Sequence, residues 1–125
     1  MAKILSMPAG VSVPEYDVNF VVAPNATVTT PIATAPKSGA LHITLECTFP
    51  SAQSVSSASF SNNKLIIGTT EYNLWDYKTT DTSSAVTKVN FEVNASVASG
   101  AAISLSNYNP SSLVSRTWTA HAEIR

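Results

Sequence analysis

Residues 40–49, ALHITLECTF, alternate without a slip: Leu41, Ile43, Leu45, Cys47 and Phe49 fall on one side, and His42, Thr44, Glu46 and Thr48 on the other. A period of two sends successive side chains to opposite faces of a strand. The segment therefore reads as a strand with one dry and one wet face. The same period returns in residues 16–23, where Tyr16, Val18, Phe20 and Val22 share a face. It returns again in residues 85–97, with Val89, Phe91, Val93, Ala95 and Val97 opposite Lys88, Asn90, Glu92 and Asn94. Near the end, Ile103 and Leu105 alternate with serines, and Trp118, Ala120, Ala122 and Ile124 oppose Thr117, Thr119, His121 and Glu123. Nowhere do apolar residues keep helical spacing over three turns.

These strands, separated by polar turns, predict an all-β chain: a single antiparallel β-sandwich of about eight strands, jelly-roll-like or immunoglobulin-like. The sandwich is expected over residues 16–125, preceded by an extended N-terminal arm, residues 1–15. Pro24, Pro31 and Pro36 interrupt residues 24–39. Proline removes a ladder donor, so that stretch reads as an edge or a wandering connection. Asn62-Asn63 predicts a hairpin turn, and Gly68 a further reversal. Residues 71–78 read as a strand with Tyr72 and Leu74 opposite Trp75 and Tyr77, followed by a polar loop over 79–84. Residues 85–97 read as the longest strand, and Ser99-Gly100 as a turn. Asn109 followed by Pro110 predicts one short helical turn.

At 125 residues the chain fits one domain, large enough to bury roughly two thirds of its unfolded surface. The single cysteine, Cys47, allows no intrachain disulfide and is expected in the core. Seven basic residues face eight acidic ones, for a formal net charge of −1, and neither sign forms a run. The electrostatic footprint of a nucleic-acid binder is missing, as are the basic clusters that read anionic membranes. The opening MAKILSMPAG is broken by Pro8 before any full signal-peptide core, and no apolar stretch is long enough to cross a bilayer. Synthesis in a cytosol is the expectation. Only 12% of residues are charged, against about a quarter in ordinary soluble domains. Ser, Thr and Asn make the wet faces instead, a surface with little self-repulsion to oppose packing of copies.

Enzyme machinery is hard to find. Glycine is scarce, and neither a nucleophile elbow nor an HExxH or CxxC pattern occurs. No catalytic residue, metal or cofactor is expected. A remote metal reading uses His42 and Glu46 on one wet face with His121 and Glu123 on another: neighbouring strands would bring two imidazoles and two carboxylates together in a zinc-like set. A carbohydrate-binding reading uses Trp75 and Tyr77 as a flat aromatic platform, with Asn73 and Asp76 as polar partners and Thr79-Thr80 beside them. Trp118, spaced by alanines, reads as core. Arg116 on the same face reads as a sheet-edge residue or as the partner of a carboxylate on a neighbouring subunit.

The arm carries Ile4, Leu5, Met7, Val11 and Val13 between prolines and cannot bury them by itself. Such arms lie across a neighbour or complete its sheet edge. Ordering one costs roughly 1–2 kcal/mol per residue in backbone entropy, so a partner must supply the contacts. With the start MAKILSMPAG and the alternating strands ALHITLECTF and TKVNFEVNASV, the chain resembles the small β-sandwich virion proteins of tailed bacteriophages, which are head-decoration (cement) or tail and fibre accessory subunits. That resemblance implies a non-enzymatic protein located in the virion and acting in many copies, with a homo-trimer favoured. Its partners would be the major capsid protein or other virion proteins, with neither nucleic acid nor membrane involved.

Overall fold

The computed structural model describes residues 13–125. Eight strands span them: β1 Glu15–Val22, β2 Thr27–Thr34, β3 Gly39–Gln53, β4 Lys64–Ile67, β5 Thr70–Asn73, β6 Val86–Val97, β7 Ala102–Tyr108 and β8 Arg116–Ile124. The helical elements among these residues are two 3-10 turns, Ala58–Phe60 and Leu74–Tyr77. One sheet has the order β1-β8-β3-β6 and the other β2-β7-β4-β5.

Every pairing is antiparallel, and β1 pairs with β8, β2 with β7, β3 with β6 and β4 with β5. The chain thus behaves as one long hairpin, its first four strands laid against its last four. Two further pairings, β3 with β8 and β4 with β7, roll that hairpin into two layers. This is the jelly-roll arrangement, which settles the choice left open between jelly roll and immunoglobulin sandwich.

Several local expectations are corrected. β3, with 15 residues, is longer than β6, with 12. The strand read over residues 71–78 stops at Asn73, whose side chain accepts a hydrogen bond from the Trp75 amide and starts the 3-10 turn. A short polar side chain competing for backbone donors ends a strand in this way. Asn62 does adopt positive φ (61°), but its turn leads from the first 3-10 turn into β4 and makes no hairpin. Gly68, at φ 61°, does turn β4 into β5. No helical turn forms at Pro110. There the Asn109 side chain accepts from the Ser111 amide, and the Ser111 hydroxyl accepts from the Leu113 and Val114 amides. β2 is an edge strand, a position that accommodates Pro31, with a register irregularity between Pro31 and Ala33.

The core fills the space between the sheets. Trp118 and Phe91 stack with ring centroids 5.4 Å apart, and Phe60 meets both, at 6.1 and 5.6 Å. Phe60 belongs to neither sheet; the connection between β3 and β4 inserts it as a plug. Cys47 is buried among these groups, and burial pushes its thiol pKa up to about 12. Three asparagines are buried with the apolar groups. Asn63 donates to the Ser61 and Tyr108 carbonyls and accepts from the Asn107 side chain and the Tyr108 amide. Asn109 donates to the Val22 and Val114 carbonyls. Side-chain amides thus tie the end of β1 to the β7–β8 connection, and the β3–β4 connection to the end of β7.

Candidate functional site

The two outer faces differ chemically. On the β2-β7-β4-β5 sheet the outward residues include Thr27, Thr29, Ser104 and Ser106, and Lys64 and Glu71 form an ion pair at 2.9 Å. On the other sheet, five of the chain's eight acidic residues point outward: Glu15, Asp17, Glu46, Glu92 and Glu123. Both histidines share that face. Period-two alternation places them there, because each lies one residue from a core position on β3 or β8.

His121 is the centre of the densest cluster. The β1–β8 register sets it opposite Asp17 and sets Glu15 opposite Glu123. Its Nδ1 lies 2.8 Å from Asp17 Oδ1, while Nε2 lies 3.2 Å from Glu123 and 3.3 Å from Glu15. An imidazolium donates from both nitrogens and fits this set of acceptors. Hydrogen bonding to Asp17 first, and to Glu123 next, raises the His121 pKa above its ordinary value. Arg125 also binds Glu123, and with His121 it holds that carboxyl below the usual range. Glu15, His121 and Glu123 offer ligand atoms within 4.8 Å of one another, and an Asp17-held Nδ1–H would leave Nε2 free for a cation. The cluster already contains its own cations, however: a divalent ion must displace the His121 proton and compete with Arg125 for Glu123.

The four-residue set expected from the sequence comes together only in part. β3 and β8 are neighbours, so the required adjacency exists, but His42 faces Glu123 and His121 faces Thr44. His42 turns instead to Glu92 on β6, at 2.6 Å, and Glu46 pairs with Lys88 at 3.1 Å. Between these pairs and His121 lies a groove of 460 Å³ that includes Thr44, Glu46, Thr79, Asn90 and Thr119. These exposed pairs contribute little stability individually. Together they give the face its alternating charge.

The aromatic platform is placed differently from the strand reading. Because Leu74–Tyr77 is a 3-10 turn, Trp75 and Tyr77 do not share a strand face. Trp75 stacks on Phe60 at 5.5 Å, and Lys78 Nζ sits 4.9 Å from its ring centre. Tyr77 meets Tyr72 edge-on at 6.1 Å. Asn73 caps the turn, and Asp76 is exposed in it. Of the arm residues, Val13 is described and 36% exposed; Ile4, Leu5, Met7 and Val11 lie outside the described residues. Pro14 accepts a hydrogen bond from the Ile124 amide, so the sandwich already holds the chain just ahead of β1.

Arg116 is not an edge residue. It lies on β8, inside the first sheet, and is 4% exposed. Its guanidinium carbon sits 4.6 Å from the Phe60 ring centre and 5.5 Å from that of Phe49. Burial lowers its pKa from the ordinary arginine value. Sequence reading gave Phe60 no role and could not pair it with Arg116, because 56 positions separate them (116 − 60). The one available signal was a charged residue in phase with Trp118 and Ala120.

No protein-family model matches the chain. No curated protein and no solved structure matches it either.

Proposed function

We propose that this protein is a non-enzymatic structural subunit of a virion, a decoration or accessory subunit that binds a capsid or tail lattice in many copies. The observation that carries the reading is the strand order, since the double-layered jelly roll is an architecture used for viral shells. Other jelly rolls bind sugars or hold metals in an open interior. Here the space between the sheets is filled by Trp118, Phe91 and Phe60, and Trp75, the centre of the sugar-binding alternative, already engages Phe60 and Lys78.

The surface supports the same reading. One outer face is rich in hydroxyls and nearly uncharged, suited to packing against copies without electrostatic cost. Val21 is 57% exposed at the end of β1 and Leu113 is 87% exposed in the β7–β8 connection. The Asn25 amide, hydrogen-bonded to the Ser111 carbonyl, brings these two connections to one end of the sandwich. β1 is also an edge strand, and the chain preceding it, with Ile4, Leu5, Met7 and Val11, leads directly into that edge. Partners of this kind are a major capsid protein and further copies of the chain, with a trimer as the favoured state.

Co-sedimentation with virus particles purified from the source that encodes the chain tests the proposal. Saturable binding at a fixed number of copies per particle is the expected result. A full-length protein that stays in the supernatant at every concentration overturns it.

A further inference from the structure

The end of the sandwich that carries the β3–β4 and β7–β8 connections holds a pocket of 220 Å³. Phe49, Val55, Pro110 and Val114 give it apolar walls, and Ser54, Ser59 and Ser111 line it with hydroxyls. Arg116 also lines it. Among the described residues, Nε and Nη1 of Arg116 are sealed from solvent without a hydrogen-bond partner. The remaining nitrogen, Nη2, is not among the sealed atoms.

A guanidinium is always charged and presents five N–H donors. The Phe49 and Phe60 rings satisfy part of that field through cation–π contact. They supply no counter-charge, and a buried charge without one is costly. The carboxylates of the β1-β8-β3-β6 sheet point from its opposite face and cannot serve.

We propose that this pocket binds a carboxylate, with Arg116 as its counter-charge and the Ser54 and Ser111 hydroxyls as supporting donors. Charge selects the ligand class. Arg116 is the one cationic side chain lining the pocket, matching a group of single negative charge rather than a phosphate, which carries about −1.5 to −2. The apolar walls suit the short carbon stem of an acid side chain or a small organic acid. The site stands whether or not the protein belongs to a particle.

The test follows thermal unfolding of the full chain while sodium acetate replaces sodium chloride at constant ionic strength, with sulfate and phosphate as comparison anions. Acetate is expected to raise the wild-type Tm in a saturable way, by roughly 3–6 °C at tenfold excess over its dissociation constant. Arg116→Met, which keeps volume among apolar neighbours, loses that response, and Arg116→Lys keeps a weakened one. In 15N-labelled protein the Arg116 Nε–H signal moves with the same saturation curve, which provides a readout even if the methionine variant misfolds. No saturable change in either measurement overturns the site, as does an equal Tm response in Arg116→Met. Stronger binding of sulfate or phosphate than of acetate overturns the carboxylate assignment. A peptide amide containing one glutamate separates the sources: tighter binding than acetate assigns the site to an acidic side chain of a docked protein, and equal binding assigns it to a free acid.

Discussion

Asn109 shows how much one side chain holds in this fold. It lies one residue past β7, buried, and its amide joins Val22 of β1 to Val114 of the β7–β8 connection, while its oxygen accepts from the Ser111 amide. Removing it leaves two carbonyls and one amide without their partners in a buried to half-buried region, at about 1–3 kcal/mol for each group that stays unpaired. Asn109→Ala is therefore expected to lose about 3 kcal/mol, read as a lower urea midpoint with an unchanged slope. A loss below about 1 kcal/mol means that the connection relaxes to find other partners, and the stitch is not what holds that end together.

Among the elements, β1 is the most conditional. It has one neighbour, β8, and its outward side chains rely on Asp17–His121 and on Asn19 donating to Thr119. Because folding raises the His121 pKa, its contribution is complete below the unfolded value, about 6.5, and is lost as pH rises through the folded value. Glu123 acts in the opposite direction: its folded pKa is lowered, so its contribution fades as pH falls below about 4.5. The Tm of the wild type should decline from pH 6 into the alkaline range by a small amount, since the cluster is largely solvated. Asp17→Asn should flatten that decline, and an NMR titration of His121 should show a lower midpoint in the variant. Identical Tm profiles for the two proteins would remove the pH-dependent latch. The other edge of the same sheet is better guarded, because the Thr79 amide donates to the Asn90 carbonyl and Thr80 accepts from the Asn90 amide.

At the scale of the whole molecule, the first and last strands close the roll, pairing Glu15 with Glu123 and Val22 with Arg116. Truncation must therefore respect β1. The arm expected over residues 1–15 overlaps a strand that begins at Glu15 and a carbonyl, Pro14, that is already hydrogen-bonded. Deleting residues 1–12 should leave cooperative unfolding within roughly 3 °C of the full chain while abolishing co-sedimentation with particles. Truncated protein that still binds particles at full stoichiometry shifts the lattice contact from the arm to the sandwich itself.

What the chain alone determined was every property that depends on period two: the all-β class, the dry and wet faces of β1, β3, β6 and β8, and the burial of Cys47 and Trp118. Alternation is a local consequence of strand geometry, so it can be read without knowing any partner. Strand order could not be read that way, because nothing in ALHITLECTF specifies β6 and β8 as its neighbours, and the choice of jelly roll over immunoglobulin sandwich waited on that order. The same holds for the sites. Sequence spacing grouped His42 with His121, but register sent them to different carboxylates. Arg116 looked like an edge residue until the roll closed Phe49 and Phe60 around it. Charge and face are written along the chain, whereas proximity between residues far apart is set only when the two sheets pack.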